Sequence, residues 1–150
     1  MHTALLVNTT GANNTSVGAY SMDANTTGSD NTAVGNSALG AATTASCNTA
    51  VGRCALQKST TGCRNTAVGT SALYENTTGD QSVAIGRAAL ICATTADGNT
   101  AVGFDSLQAN TTACFNTAVG RNTNFSNTTG CRNVAVGLNA AYSGTTGTCN

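Results

Sequence analysis

Side chains capable of acid–base or nucleophilic chemistry are few in this sequence, and their spacing does not assemble a catalytic group. The only histidine is His2, and the six carboxylates are scattered along the chain. Catalysis by proton transfer requires a base, a nucleophile and an orienting group held together. We therefore expect a protein that is not an enzyme, with no catalytic residues and no cofactor.

The seven cysteines do not have the spacing of a metal or thioredoxin-like site. No pair of them forms a Cys-x-x-Cys motif, which excludes zinc ribbons and thioredoxin-like redox centres. A calcium-binding roll requires an Asp that recurs in each turn, and Asp does not recur in this way. We expect no metal site, and this many cysteines in a small chain favours an oxidising compartment.

Composition excludes several further classes of protein. Of the 150 residues, 28 are Thr, 18 are Asn and 17 are Gly, and residues of this size cannot build the bulky core of a conventional globular enzyme. The six basic and six acidic residues give a net charge of zero, which argues against nucleic acid as a partner. The longest apolar run, around Ala4–Val7, is too short to insert into a membrane.

A 17-residue repeat organises the whole chain. The motif Asn-Thr-Ala-Val-Gly, or a close variant, begins at residues 14, 31, 48, 65, 82, 99, 116 and 133. We number each unit from the Gly of this motif, so that Gly52–Val68 is one unit with Leu56 at position 5 and Thr60 at position 9. Positions 9 and 10 are Thr-Thr in every copy, and position 14 is Asn in all but one.

The repeat predicts an all-β parallel β-solenoid, or β-roll, of about nine coils that forms one domain over residues 1–150. Gly, Asn and β-branched pairs disfavour helix, and 17 residues are too few for a two-helix repeat. We expect one short strand at positions 15 to 17 and a second from the position-5 Leu to the Thr-Thr pair. Each strand pairs with its next copy, consistent with the absence of Pro, and the position-14 Asn side chains form a stacked amide ladder.

Substitutions within the motif suggest which side of the strand faces inward. Val replaces Thr at Val83 and Val134, and Ile85 replaces Val, so positions 15 and 17 are expected to point into the core and the Ala at position 16 outward. The expected core ladder consists of one aliphatic residue from each strand and one Leu from most coils: Val17, Val34, Val51, Val68, Ile85, Val102, Val119, Val136, Leu39, Leu56, Leu73, Leu90 and Leu107.

The repeat resembles known fibre proteins. The unit Asn65–Gln81 resembles the repeats of large tail-fibre-domain proteins of phages and bacteria, and the motif Ser82–Gly86 is similar to the Ser-Val-Ala-Ile-Gly motif in the head domains of trimeric autotransporter adhesins. The resemblance implies a left-handed β-roll, three chains of which form an adhesive fibre. The adhesin unit is shorter than 17 residues, so three-fold assembly is implied only loosely.

Two sets of surface residues are candidate modification sites. Five cysteines share positions 12 and 13, where inter-coil disulfides are geometrically feasible; they are Cys47, Cys63, Cys114, Cys131 and Cys149. Asn-x-Ser/Thr sequons recur at position 8 because Thr-Thr follows it, and a secreted eukaryotic or viral chain could carry N-glycans there; they are Asn8, Asn25, Asn76, Asn110 and Asn127.

These observations predict a structural segment of a fibre on a cell or virion surface, used for adhesion or display. The sequence begins at position 1 and stops at position 14, so we expect a piece of a longer array or a unit that stacks on its own copies. The expected partners are a surface receptor or glycan and the chain itself, as a trimer or end-to-end filament that packs through the position-16 Ala column.

The alternative is an ice-binding solenoid, although the Thr-Thr pair supplies a single outward Thr column, which makes a poor ice-binding plane.

Overall fold

Eight three-residue strands form one parallel sheet in the computed structural model, which describes residues 3–149. Neighbouring strands in sequence are neighbours in the sheet, and identical repeat positions face each other, as Thr49 faces Thr66 and Ala50 faces Ala67. The strands are β1 (Thr15–Val17), β2 (Thr32–Val34), β3 (Thr49–Val51), β4 (Thr66–Val68), β5 (Val83–Ile85), β6 (Thr100–Val102), β7 (Thr117–Val119) and β8 (Val134–Val136).

This arrangement confirms the predicted parallel β-solenoid and its 17-residue spacing. The strands span about seven turns, so the predicted count of nine coils is slightly too high. Among residues 3–149 there is no helix. Because the β-branched Thr-Ala-Val segment suits a pleated surface, the strand recurs wherever that motif recurs.

Hydrogen bonds between coils continue beyond the strands and around most of each turn. In the coil that follows β3, Leu56 N donates to Ala72 O at 3.0 Å and Thr60 N donates to Thr77 O at 2.9 Å. At the end of the same coil, Thr66 N donates to Ser82 O at 2.8 Å. The backbone therefore needs a free N–H at many positions of the repeat, which explains the absence of Pro.

The predicted second strand is wrong, because the chain turns at position 5. Leu56 has φ 51° and Cys54 has φ 58°, both in the left-handed region that costs an L residue about 1 kcal/mol. Ser59 N closes a local turn by donating to Leu56 O at 3.2 Å. The conformation is retained at most coils because it buries the position-5 side chain completely and lets 17 residues close one circuit.

The interior is filled by Leu and Ala rather than by Leu and Val. The five predicted core Leu residues are all fully buried, which confirms that half of the predicted ladder. The position-16 Ala residues, such as Ala67, are also fully buried, whereas Val17, Ile85 and Val136 are 57%, 40% and 67% exposed. The predicted direction of the strand side chains is therefore wrong: positions 15 and 17 face outward, and the thin coil has room for only a methyl group at position 16.

The predicted amide ladder at position 14 is confirmed. Asn65 accepts a hydrogen bond from Ser82 N at 2.9 Å through its Oδ1 atom, and it donates from Nδ2 to Gly79 O at 2.7 Å. Its own N–H donates to Asn48 Oδ1 at 2.9 Å. Each Asn thus bonds to a turn of the following coil and to the next Asn or Ser of the column.

We expect Asn65→Leu to lower the free energy of unfolding by about 1 to 3 kcal/mol, since it leaves Ser82 N buried without a partner and removes one of the two hydrogen bonds to Gly79 O. Urea denaturation followed by circular dichroism measures this loss. Asn65→Ser is the matched control, because the natural Ser82 accepts from Asn99 N at 3.2 Å in the same column. A Leu variant as stable as the Ser variant would show that the ladder contributes little to stability.

Candidate interaction surfaces

The outer face of the sheet presents two columns of β-branched side chains. Every outward position of the eight strands is Thr, Val or Ile, and these side chains are half-buried or exposed. At about 4.8 Å between strands, the face extends roughly 34 Å along the rod. We call it the Thr/Val face; it carries no charged residue, and its core-facing side is the Ala column.

All five arginines of the chain lie two residues outside the strands, at the edges of the Thr/Val face. Arg53, Arg87 and Arg121 occupy position 2 on every second coil, and Arg64 and Arg132 occupy position 13 on the opposite edge. All five side chains are on exposed residues. We refer to the first three as the position-2 arginines.

The position-2 arginines are partly ordered by an aromatic ring and one carboxylate. The ring of Phe104 lies between Arg87 and Arg121, with its centroid 5.0 Å and 5.4 Å from their guanidinium carbons. Arg87 Nη1 lies 3.9 Å from Asp105 Oδ1. Burial raises the pKa of Asp105, although the two neighbouring guanidinium groups act in the opposite direction. Arg53 has no carboxylate within ion-pair distance in the described part of the chain.

A polar groove adjoins Arg53, the first of the position-2 arginines. Its wider part has a volume of about 510 Å³ and continues into a second depression through the shared residues Ser37 and Gln57. Lys58 is one of the residues that line the second depression; it pairs with Glu75 at 2.7 Å and lies 5.2 Å from the Tyr74 ring centroid. The wider part is lined by Asn36, Ser37, Arg53, Cys54, Gln57, Ser71, Tyr74 and Ile91.

Position 12 carries a hydrogen-bond ladder that the sequence analysis did not anticipate. Each position-12 side chain from Ser29 to Cys131 accepts a hydrogen bond from the backbone N–H of the position-12 residue one coil earlier. For example, Cys63 N donates to Asp80 Oδ1 at 2.6 Å, and Asp97 N donates to Cys114 Sγ at 3.3 Å. The signal was present in the sequence, because Ser, Cys and Asp share a short side chain with an acceptor atom.

All seven cysteines are free thiols in this structure, and the candidate inter-coil disulfides stay a prediction. The thiols at position 12 point to the backbone rather than to each other: Cys63 Sγ donates to Thr61 O at 3.2 Å and Cys114 Sγ donates to Thr112 O at 3.3 Å. Cys131 and Cys149 lie on adjacent coils, where the N–H of Cys149 donates to Cys131 O at 3.1 Å. Cys47 and Cys149 are exposed.

The position-8 Asn residues close turns and are not available for N-glycosylation in the folded chain. Asn76 donates from Nδ2 to Gly79 O at 3.0 Å and accepts from Gly79 N at 3.1 Å. Asn8 makes the corresponding bond to Gly11 O at 2.9 Å and is half-buried. The other candidate sequons are buried in the same way; they are Asn25, Asn110 and Asn127. This burial argues against the predicted glycan row, because the amide nitrogen that would carry the sugar is already bonded inside the turn.

The Thr-Thr pair presents one outward column, as predicted. The position-9 hydroxyl bonds to the backbone of the next coil, as Thr60 Oγ1 does to Thr77 O at 3.2 Å. The position-10 Thr of each coil is exposed. The Thr residues at position 15 lie outward on a different surface, the Thr/Val face, where a second column of Val accompanies them.

Comparison with known proteins supplies no relative: no family model, no curated protein and no solved structure matches this chain. Residues 3–149 contain no group of three or more His, Cys, Asp or Glu side chains placed to hold a metal ion. They also contain no helix with the length and hydropathy of a membrane span.

Proposed function

We propose that the chain is a non-catalytic, self-associating segment of an extracellular or virion-surface fibre, used for adhesion or display. The observation that carries this proposal is the Thr/Val face, an uncharged array of β-branched side chains on eight consecutive coils. Its column of Val and Ile side chains, with the Thr methyl groups beside it, is an exposed apolar surface of the kind that marks protein–protein contacts. The position-16 Ala column, which sequence reasoning assigned to lateral packing, belongs to the core.

Self-association through the Thr/Val face also compensates for the thin interior. The core of a coil contains one Leu or Met and several Ala residues in most turns, which buries little apolar area per residue. Packing the face against a second copy, as dimer or trimer, would bury both columns along the whole rod. Such a contact grows with the number of coils, whereas an end-to-end contact does not.

The test is to place charge on three neighbouring coils of the face. We expect the wild-type chain to form oligomers at tens of micromolar, and Val51→Lys/Val68→Lys/Ile85→Lys to give monomers with unchanged circular dichroism, because three desolvated ammonium groups cannot be tolerated in an apolar interface. The measurement is analytical ultracentrifugation or light scattering. The matched control is Thr44→Lys/Thr61→Lys/Thr78→Lys, which adds the same charge to the exposed position-10 column of the same three coils.

A monomeric wild-type chain would contradict the proposal, and so would a control variant that dissociates to the same extent. A second candidate function, ice binding, is favoured by one observation: the outward Thr column at position 15 is accompanied by a Val column in a sheet of constant register. The adjacent Thr and Val columns form a wider ice-binding plane than the single Thr column at position 10. Thermal hysteresis from a monomeric wild-type chain, abolished by the Val→Lys substitutions, would establish ice binding instead of a fibre.

A further inference from the structure

We propose that the edge formed by the position-2 arginines and the adjoining groove binds a linear acidic polysaccharide that lies along the rod. This inference deepens the proposed adhesive role and rests on it for its biological use. The three side chains that define the site are Arg53, Arg87 and Arg121, which recur at one repeat position on alternate coils. We call this edge, together with the groove, the arginine edge.

The spacing of the position-2 arginines along the rod fits a chain with an anion on every second sugar. Two coils separate successive position-2 arginines, and at about 4.8 Å per coil their backbones are roughly 10 Å apart. This is close to the length of a disaccharide in an extended polysaccharide. Guanidinium groups bind carboxylates with two parallel hydrogen bonds, so each arginine could hold one uronic acid of such a chain.

The groove beside Arg53 offers the kinds of side chain that bind neutral sugar hydroxyls. Asn36, Gln57, Ser71 and Tyr74 line it; within residues 3–149 neither the Gln57 amide nor the Arg53 guanidinium has a hydrogen-bond partner. Amide and hydroxyl groups both donate and accept, as sugar hydroxyls do. The Tyr74 ring adds an aromatic surface among these polar groups.

The charges near the arginine edge leave it positive where the ligand would lie. Lys58 is paired with Glu75, and Arg87 is paired with Asp105. Arg53 and Arg121 have no such partner among the described residues, and Asp23 faces the far end of the groove beyond Ser37. The unpaired guanidinium groups are therefore the principal contacts for an anionic ligand.

Nucleic acid fits this surface less well than a polysaccharide. Each strand of duplex DNA carries one charge about every 3.4 Å, and its affinity depends on many phosphate contacts. Three guanidinium groups at roughly 10 Å intervals, on a chain of zero net charge, cannot supply such contacts.

The experiment measures binding of a hyaluronan oligosaccharide, with alternating glucuronate and N-acetylglucosamine, long enough to reach from Arg53 to Arg121. We expect the wild-type chain to bind it in calorimetry or fluorescence anisotropy at low salt. Arg53→Gln/Arg121→Gln should weaken binding about tenfold, since two exposed charge pairs are lost. The matched control is Arg64→Gln/Arg132→Gln, which removes the same charge from the opposite edge and should change affinity by less than about twofold.

Four results would overturn the inference. They are no binding by the wild-type chain, an equal loss in the control variant, equal binding of the oligosaccharide after its carboxylates are reduced to alcohols, and tighter binding of a thymidine oligonucleotide than of hyaluronan. Light scattering on the same samples separates this inference from the proposed function. If the chain assembles but does not bind the oligosaccharide, only the inference about the arginine edge is overturned. If the chain binds the oligosaccharide but never assembles, only the proposed fibre function is overturned.

Discussion

Ala67→Asp is expected to lower the free energy of unfolding by at least about 3 kcal/mol, because a buried carboxylate without a partner is among the costliest substitutions. Ala67 is fully buried in the centre of β4. Below the concentration at which the chain associates, Thr66→Asp, one residue earlier on the outward side, should cost about 1 kcal/mol or less. Urea denaturation of the two variants, followed by circular dichroism, measures the difference.

The ranking of these two variants decides which side of the strand faces the core. The substitutions introduce the same side chain into the same strand, so strand propensity is matched and only burial differs. A Thr66→Asp variant less stable than Ala67→Asp would show that positions 15 and 17 point inward. Equal stabilities would show that the solenoid interior admits water at Ala67.

Gly69→Ala is expected to cost about 3 kcal/mol or more, through backbone strain and overpacking together. Gly69 has φ 133°, and a Cβ atom there would lie 2.6 Å from Gly86 O and 2.7 Å from Gly86 C. Both contacts are with the backbone of the next coil, which cannot move without breaking the ladder. Thermal unfolding monitored by circular dichroism should show a large fall in Tm.

Gly40→Ala is the matched control for Gly69→Ala. Its added Cβ would meet no atom closer than 3.4 Å, so the variant should be neutral or more stable by about 0.5 kcal/mol through the reduced entropy of the unfolded chain. If Gly69→Ala and Gly40→Ala unfolded at the same temperature, the close approach of successive coils at position 1 would be wrong.

The architecture follows from the sequence, because a constant period fixes which residues are stacked. The direction of the strand side chains does not follow from it. Alternation shows that Thr66 and Val68 share a side, but Thr and Val exchange as readily on an exposed β-face as in a core. The deciding quantity is the width of the coil interior, which a single coil's sequence does not reveal.

The turn at position 5 and the binding surfaces were also beyond sequence reasoning. A left-handed Leu56 carries no local signal, since positive φ is usual only for Gly and Asn. Asn76 was a candidate glycan site because Thr-Thr follows it, and its turn-closing hydrogen bonds to the Gly79 backbone could not be read from the sequon. The groove between Arg53 and Tyr74 exists only once coils are stacked, so residues 21 apart in sequence become neighbours.

The position-12 ladder makes the damage from a substitution appear one coil away from the change. Asp80 accepts from the N–H of Cys63, and Asp97 accepts from that of Asp80. Because coils contact each other through identical positions 17 residues apart, each coil depends only on its immediate neighbours. A gene for such a rod can therefore gain or lose whole 17-residue units, each changing the length by about 4.8 Å, without disturbing the contacts of the remaining coils, whereas a 16- or 18-residue change would put every later coil out of register.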